Sequence, residues 1–97
     1  MNITFNPVAR QELVETARWY ANEGGALRAG DFKKEVQRSL KLIVEHPALG
    51  AHAASHTRSL LVHRYPYSVI YRIEGDILRV LAIAHHGRRP GYWAGRR

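Results

Sequence analysis

The chain of 97 residues contains no cysteine. The absence of thiols excludes a disulfide framework, a thiolate metal site and a cysteine nucleophile, and it fits a reducing cytoplasm. Long apolar runs are missing as well, since the longest is far too short to cross a bilayer. The first residues lack the basic and apolar regions of a signal peptide. These absences predict a cytoplasmic protein without a membrane segment.

Acidic side chains are scarce in the second half of the chain. Residues 1–50 carry seven basic and six acidic side chains, a net charge of +1, whereas residues 51–97 carry eight arginines against Glu74 and Asp76, a net charge of +6. The second half has no lysine, and arginine is the side chain suited to bidentate phosphate or carboxylate contacts. This asymmetry favours a polyanionic partner, nucleic acid or an acidic protein segment, over a merely basic soluble surface.

A chain of this length has room for one hydrophobic core, so we expect a single domain over residues 1–97. Its first half shows helical spacing. A short strand at residues 3–5 ends at Asn6-Pro7, a pair that favours a helix start because asparagine caps free N–H groups and proline fits the first turn. This helix is predicted to end at Gly24-Gly25.

A second helix is predicted from about Leu27 or Asp31 to His46, and with the first it forms a helical hairpin. Its apolar residues recur every three or four positions, as in a helix that packs one face on a core: Phe32, Val36, Leu40 and Ile43. The glutamates of both helices are expected on the opposite, solvated faces: Glu12, Glu15, Glu23, Glu35 and Glu45. Solvated positions give no support for paired-carboxylate catalysis.

The periodicity changes after a loop predicted at residues 47–57. Residues 59–63, 67–73 and 77–85 are rich in β-branched and aromatic side chains, and the short links between them favour consecutive antiparallel hairpins. Alternation places four residues of the middle strand on one face: Tyr67, Val69, Tyr71 and Ile73. The last strand is apolar on both faces and is expected inside the sheet. The order β-α-α-β-β-β predicts an α+β fold, with an antiparallel sheet covered on one face by the helical hairpin.

The predicted loop contains His52 and His56, whose spacing would let two imidazoles share a metal if they stood on a helix. No carboxylate or thiol accompanies them in the loop. Since a metal site needs further ligands, we expect no metal. A Gly-rich phosphate loop is also absent, and no cofactor is expected.

The C-terminal segment concentrates the side chains that carry chemistry. The predicted last strand leads directly into a run that ends in two aromatics: His85, His86, Arg88, Arg89, Tyr92 and Trp93. This composition predicts a site for an anionic partner. Simpler roles are also open, since a histidine at a strand end can be structural and aromatics can fold back over a sheet edge.

Two motifs of the strand half together resemble one protein family. Residues 64–72 contain a Pro-Tyr-x-x-x-Tyr strand, and residues 84–93 contain the ending His-x-x-Arg-x-Pro-x-x-Trp. In this order they resemble the ParE branch of the RelE/ParE toxin superfamily over essentially the whole chain. The resemblance implies the toxin of a type II toxin–antitoxin module of the plasmid stabilisation type. It also implies a cognate antitoxin whose flexible segment wraps the toxin in a hetero-oligomer, and the excess of arginine in the second half predicts that this segment is acidic.

One activity that the resemblance implies is cleavage of mRNA within the ribosome, the route of the RelE-like branch. Attack of the RNA 2′-hydroxyl on the adjacent phosphate needs a base, an acid and cations. The residues available are His85 or His86 as acid or base, Tyr92 as a second proton donor, and Arg64, Arg72, Arg88 or Arg89 as cations. Against this activity, Ser68 stands where RelE-like nucleases carry an arginine, and the apolar residues Leu60, Leu61 and Val62 stand where they carry basic ones.

The other activity is poisoning of DNA gyrase, the route of the ParE-like branch, and the residues favour it. The toxin then makes and breaks no bond, so it needs only a rigid sheet, a basic rim and aromatic anchors. The surface expected to bind gyrase or the antitoxin comprises Arg64, Arg72, Arg88, Arg89, Tyr92 and Trp93. A third alternative is a non-toxic relative that only binds its antitoxin.

Overall fold

The computed structural model describes all residues 1–97. The elements in chain order are β1 (Asn2–Phe5), α1 (Pro7–Glu45), β2 (Ala51–Ala53), β3 (Thr57–Leu61), β4 (Tyr67–Glu74) and β5 (Ile77–His85). The strands form one sheet in the order β1-β5-β4-β3-β2. One α-helical region packed on a five-stranded sheet confirms the predicted α+β class. None of its helical segments combines the length and apolar character that a bilayer crossing requires.

The helical region α1 is a hairpin of two arms that meet at a single residue. Gly25 has φ 86° and ψ 170°, which no α-helix contains. A continuous helix of 39 residues would be about 58 Å long, whereas the longest extent of the molecule is 38 Å. The arms, residues 7–24 and 26–45, fold back on each other, so that the rings of Tyr20 and Phe32 lie 5.2 Å apart. The predicted hairpin is confirmed, and its second arm begins earlier than expected because one glycine suffices for the reversal.

The start of α1 follows the predicted capping. The Asn6 side-chain oxygen accepts hydrogen bonds from the backbone N–H groups of Val8 (2.8 Å) and Ala9 (3.2 Å), and Pro7 occupies the first helical position. The backbone N–H of Asn6 also donates to the carbonyl oxygen of Val80 at 2.8 Å. The chain therefore leaves the sheet beside the middle of β5 as it enters the helix.

The strands β3, β4 and β5 form the predicted antiparallel meander, with β5 inside the sheet. The sheet as a whole is mixed, because β1 pairs with β5 in parallel, from Asn2 opposite Ile77 to Phe5 opposite Val80. Three chain reversals between β2 and β5 leave β5 running in the direction of β1. The pairing of β1 ends at Val80, so the remaining residues of β5 have no neighbouring strand on that side.

The predicted loop at residues 47–57 is wrong in part, because it contains the strand β2. This strand pairs antiparallel with β3, from Ala51 opposite Ser59 to Ala53 opposite Thr57. β3 consequently begins two residues earlier than predicted, at Thr57. Alanine and histidine carry little strand preference, so the pairing arises from the tight turn before β3, in which Ser55 and His56 adopt left-handed φ angles of 61° and 58°.

The sheet separates two clusters of apolar side chains. The larger cluster lies between the sheet and the helical hairpin and contains the predicted face of β4 together with the apolar stripe of the second arm: Tyr67, Val69, Tyr71, Ile73, Phe32, Val36, Leu40 and Ile43. A smaller cluster lies on the opposite side, which we call the helix-free face, and consists of Ile70, Ala82, Ala84 and Trp93. The segment after β5, residues 86–97, is called the tail. It supplies Trp93, the aromatic side chain that covers the helix-free face.

The expectation that all helix glutamates are solvated is wrong for Glu12 and Glu35. Glu35 is only 8% exposed and accepts a hydrogen bond from Arg64 at 3.0 Å. Arg64 also donates to Asp31 at 2.9 Å, which ties the β3–β4 turn to the second arm. A hydrogen bond from Tyr65 and the neighbouring Arg64 lower the pKa of Asp31. Both glutamates lie beside the apolar residues of their helical arms, and each is paired there with an arginine of the second half of the chain.

We expect Gly25→Ala to destabilise the protein and Gly30→Ala to stabilise it. A Cβ at position 25 would be held at a φ of 86°, in a region that only glycine occupies readily, at a cost of about 1–3 kcal/mol. Gly30 lies within the second arm, where an added methyl group would meet open space, so alanine should add about 0.5–1 kcal/mol. Urea unfolding followed by circular dichroism measures both changes. Equal effects of the two substitutions would contradict a hinge at Gly25.

Candidate functional site

The site predicted at the C-terminal segment is built by a chain of tight turns that follows β5. Backbone N–H groups donate three residues back along the chain, for example Tyr92 to the carbonyl of Arg89 at 3.2 Å and Arg96 to that of Trp93 at 3.0 Å. Gly91 and Gly95 provide left-handed φ angles of 78° and 90° within these turns. The segment therefore curls back along the sheet instead of extending away from it.

The tail is fixed to the body of the protein by Glu12, a residue of the first helical arm. Arg96 donates to both carboxylate oxygens of Glu12, at 2.8 and 3.1 Å, and the two side chains are only 15–16% exposed. The carboxylate also accepts the backbone N–H of Ile83 at 3.1 Å, while Arg96 donates to the carbonyl of Leu81 at 3.0 Å. Because β1 pairs with β5 only as far as Val80, Ile83 and Leu81 have no strand partner on that side. Glu12 and Arg96 supply the hydrogen bonds that a neighbouring strand would otherwise make.

Tyr92 completes this cluster. Its hydroxyl donates to Glu12 at 2.8 Å, and its ring lies beneath the guanidinium of Arg88, with 3.8 Å between the guanidinium carbon and the ring centre. Burial and the carboxylate of Glu12 raise the pKa of Tyr92 to about 12. Burial alone would lower the pKa of Arg96, but the hydrogen bond and charge of Glu12 outweigh it, so that pKa is raised.

Trp93 anchors the tail on the helix-free face. The indole is 8% exposed and packs with Ile70, Ala82 and Ala84, while its ring stands edge-on to Tyr92 at 5.5 Å. Its Nε1–H group is buried without a hydrogen-bond partner. Trp93 is therefore held by apolar packing, and Tyr92, the other ring of the pair, is half-buried.

The two histidines at the end of β5 are held by neutral groups. His85 stands edge-on to the ring of Tyr67 at 5.0 Å, and its Nδ1 accepts the backbone N–H of Gly87 at 2.8 Å. His86 has its Nε2 3.0 Å from the hydroxyl oxygen of Ser68. Neither imidazole contacts a carboxylate that could orient it as a general base. Both rings are instead fixed by neutral hydrogen-bond partners, His85 by its own turn and His86 by β4.

A depression of about 260 Å³ lies between these groups on the helix-free face. Its lining brings together four of the predicted site residues, His85, His86, Arg88 and Trp93, with Ser59 and Ser68 of the neighbouring strands. No acidic side chain lines it. Hydroxyl, imidazole and guanidinium groups around an apolar floor suit an anionic or mixed polar and aromatic partner.

The other predicted site residues lie elsewhere or point into solvent. Arg89 is exposed beside the depression. Arg64 is engaged by Asp31 and Glu35 of the second arm. Arg72 donates to the backbone carbonyl of Ser55 at 2.8 Å, at the turn between β2 and β3. The structure therefore gathers the tail residues but not Arg64 and Arg72.

The contribution of Glu12 to the site and its pairing with Arg96 were not predicted from the sequence. Glu12 lies three residues after the fully buried Ala9, at the border of the apolar stripe of the first arm. A glutamate in that position, in a chain with excess arginine, is a detectable signal for an ion pair. Its specific partner depends on how the tail folds, which no local pattern predicts.

A family profile described as "ParE toxin of type II toxin-antitoxin system, parDE" matches residues 3–90. The chain belongs to the ParE toxin family. It is the toxin of a type II toxin–antitoxin system, as the resemblance implied, and such a system implies an antitoxin partner. The match ends within the tail, so Tyr92, Trp93 and Arg96 lie just beyond it.

The fold of this ParE-family toxin is shared with solved structures. It is similar to a chain of a structure titled "Chromosomal ParDE TA system from P. aeruginosa", with a TM-score of 0.75 and 20% sequence identity. The alignment covers 88% of this chain and 95% of that one. At this identity the likeness supports the fold. No curated protein sequence matches the chain significantly.

We expect Glu12→Gln to destabilise the toxin by about 2 kcal/mol or more, because Arg96 loses its charged partner in a site that water hardly reaches. Glu15→Gln is the matched control, since Glu15 is exposed and its carboxylate contacts only Gln11, and its effect should stay within about 0.5 kcal/mol. Urea unfolding followed by tryptophan fluorescence measures both. Equal stabilities of the two variants would contradict the role of Glu12.

We expect the toxin to lose stability between pH 10 and pH 12, in part through Tyr92. The pKa of this hydroxyl is raised from 10.0 to about 12 in the folded state, so its contribution is complete below pH 10 and is lost as the pH rises through 12. The pKa of Tyr65 is raised to about 12 as well and acts in the same sense. Urea unfolding at several alkaline pH values should therefore give a shallower decline for Tyr92→Phe than for the unmodified toxin. Parallel declines would contradict the Tyr92–Glu12 hydrogen bond.

Proposed function

We propose that this toxin arrests growth by binding DNA gyrase and trapping the enzyme on cleaved DNA. The observation that carries the proposal is the surface of the tail, where exposed Arg88 and Arg89 flank Tyr92 above a rigid sheet. Arginine, tyrosine and tryptophan contribute most of the energy of protein interfaces. A toxin that acts by binding alone needs these side chains and no proton transfer.

The environment of the histidines supports binding over catalysis. His85 accepts a hydrogen bond from its own turn, and His86 is paired with Ser68, so neither has a charged partner. A general base and a general acid on either side of a scissile phosphate would need side chains poised for proton transfer. Ser68 provides a hydroxyl where RelE-like nucleases carry a cation.

Ribosome-dependent cleavage of mRNA is the second candidate, and one observation favours it. His85, His86 and Arg88 line the same depression, with Tyr92 beside it, so an RNA phosphate placed there would meet imidazole and guanidinium groups together. Such an activity would use no metal. It makes the histidines essential, whereas gyrase binding does not.

The antitoxin is proposed to neutralise the toxin by covering the basic tail. Residues 51–97 carry a net charge of +6, and the guanidiniums of Arg88 and Arg89 form no intrachain ion pair. A flexible acidic segment with apolar anchors would order on this surface and form a hetero-oligomer with the toxin. Gyrase and the ribosome are both cytoplasmic targets, and we expect the toxin to act there.

We expect the purified toxin to inhibit supercoiling of relaxed plasmid by gyrase and to leave linear, cleaved DNA. The double variant Arg88→Ala/Arg89→Ala should lose this inhibition by at least about a hundredfold in effective concentration, since two interface arginines are removed. The control Arg38→Ala/Lys41→Ala removes the same charge from exposed positions of the second helical arm and should leave the inhibition unchanged. Thermal unfolding verifies that both variants fold.

Growth and translation assays separate the remaining alternatives. Expression of the toxin alone should stop growth, and co-expression of the acidic protein encoded beside it should restore growth. Unimpaired supercoiling together with cuts in ribosome-bound mRNA that disappear in His85→Ala/His86→Ala would establish the nuclease instead. Normal growth with the toxin alone would leave a relative that only binds its antitoxin.

A further inference from the structure

The β2–β3 hairpin builds a second basic pocket, of about 280 Å³, that shares no lining residue with the tail depression. It forms where β4 continues beyond the last residue paired with β3, Arg58 opposite Tyr71. Arg72 and Ile73 of β4 line one side. The hairpin supplies His52, His56 and Arg58 on the other. The two histidines that gave no metal motif in the sequence thus line one cavity, His52 from β2 and His56 from the turn before β3.

The guanidinium of Arg58 is fixed at this pocket by backbone carbonyls. Its Nη1 donates to Gly50 at 2.8 Å and to Ala48 at 3.1 Å, in the segment that follows the second helical arm. Carbonyl oxygens orient a guanidinium without cancelling its charge, and the Nε and Nη2 groups keep further donors. Arg58 is therefore a positioned cation with free N–H groups.

The guanidinium of Arg72 is held in the same manner. Its Nη2 donates to the carbonyl of Ser55 at 2.8 Å, and its Nε to that of His56 at 3.4 Å. The carboxylate that it pairs with, Glu74, is 3.8 Å away and half exposed, which compensates the charge only weakly. Arg64 and Arg96, by contrast, contact carboxylates at 2.8 to 3.0 Å. The pocket therefore keeps most of its positive charge.

We propose that this pocket binds a phosphate group of a nucleic-acid backbone. Two preoriented guanidiniums and two exposed imidazoles surround it, and no acidic side chain is among its lining residues. Guanidinium forks match phosphate oxygens in geometry and charge. An acidic peptide would also need an apolar anchor, and the apolar residues of the lining, Tyr71 and Ile73, are buried or half-buried. The site is independent of the gyrase proposal, and its test uses no gyrase.

The first measurement is a titration of the ¹⁵N-labelled toxin with inorganic phosphate at constant ionic strength, followed by amide chemical shifts. Saturable shifts should centre on residues 51–58 and 72–73. Arg72→Gln should weaken binding by about tenfold or more, because a charge-assisted hydrogen bond is lost. Arg38→Gln, the same change on the second helical arm, should leave the dissociation constant unchanged. Shifts centred on residues 86–89 or spread evenly would overturn the site.

Arg72 also binds the turn of the β2–β3 hairpin, so Arg72→Gln could weaken phosphate binding by loosening that turn. A second variant, which leaves Arg72 in place, tests the pocket independently. His52→Gln/His56→Asn removes both imidazoles and keeps the fold, since asparagine tolerates the left-handed φ of 58° at position 56. It should weaken phosphate binding by about threefold through the loss of two donors. Binding identical to that of the unmodified toxin would show that the hairpin does not recognise phosphate.

The last measurement distinguishes a nucleic-acid phosphate from free phosphate. Fluorescence anisotropy of a labelled duplex of about 20 base pairs should show weaker binding for Arg72→Gln and a salt dependence, log K against log salt, reduced in slope by about 1. Arg38→Gln should keep both the affinity and the slope. Loss of phosphate binding in Arg72→Gln with unchanged duplex binding would overturn the nucleic-acid assignment.

Discussion

The architecture of the candidate site depends on the place where β1 ends beside β5. Beyond Val80 the sheet edge has no further strand, because the chain turns at Asn6 into the first helical arm. Backbone groups left at such an edge need partners, and here the Glu12–Arg96 pair provides them. The same carboxylate holds Tyr92 by its hydroxyl, and Arg88 stacks on the ring of Tyr92. One carboxylate on the helical hairpin thus fixes Tyr92 and Arg96, while the packing of Trp93 on the helix-free face holds the tail between them.

The arginines of the second half differ in what surrounds them, and this difference shapes the surface charge. Arg64 and Arg96 are bound by carboxylates and serve the fold. Arg58 and Arg72 donate to backbone carbonyls, which orient them while their charge remains. Arg88 and Arg89 face solvent at the tail. The positive field of the protein therefore has two centres, the tail and the β2–β3 hairpin, instead of an even spread.

Much of the fold could be predicted because its signals are local. Asn6-Pro7 caps the helix, one residue of the glycine pair, Gly25, breaks it, and alternation along β4 assigns Tyr71 and Ile70 to opposite faces. The strand β2 was not predicted, because its residues, Ala-His-Ala, have little strand preference and form a strand only by pairing with β3. The tail residues were found by composition, but the fixing of Arg64 by Asp31 and of Arg96 by Glu12 joins residues far apart in the chain. Such contacts depend on tertiary packing, which no local periodicity encodes.

The short strands at both sides of the sheet bear on how the protein behaves at high concentration. β1 has four residues and β2 has three, so each outer edge exposes only a brief run of unpaired backbone groups. Edges of this length are poor templates for the addition of strands from other molecules. Because the molecules also repel one another through a net charge of +7, edge-to-edge aggregation is disfavoured by geometry and by electrostatics at once.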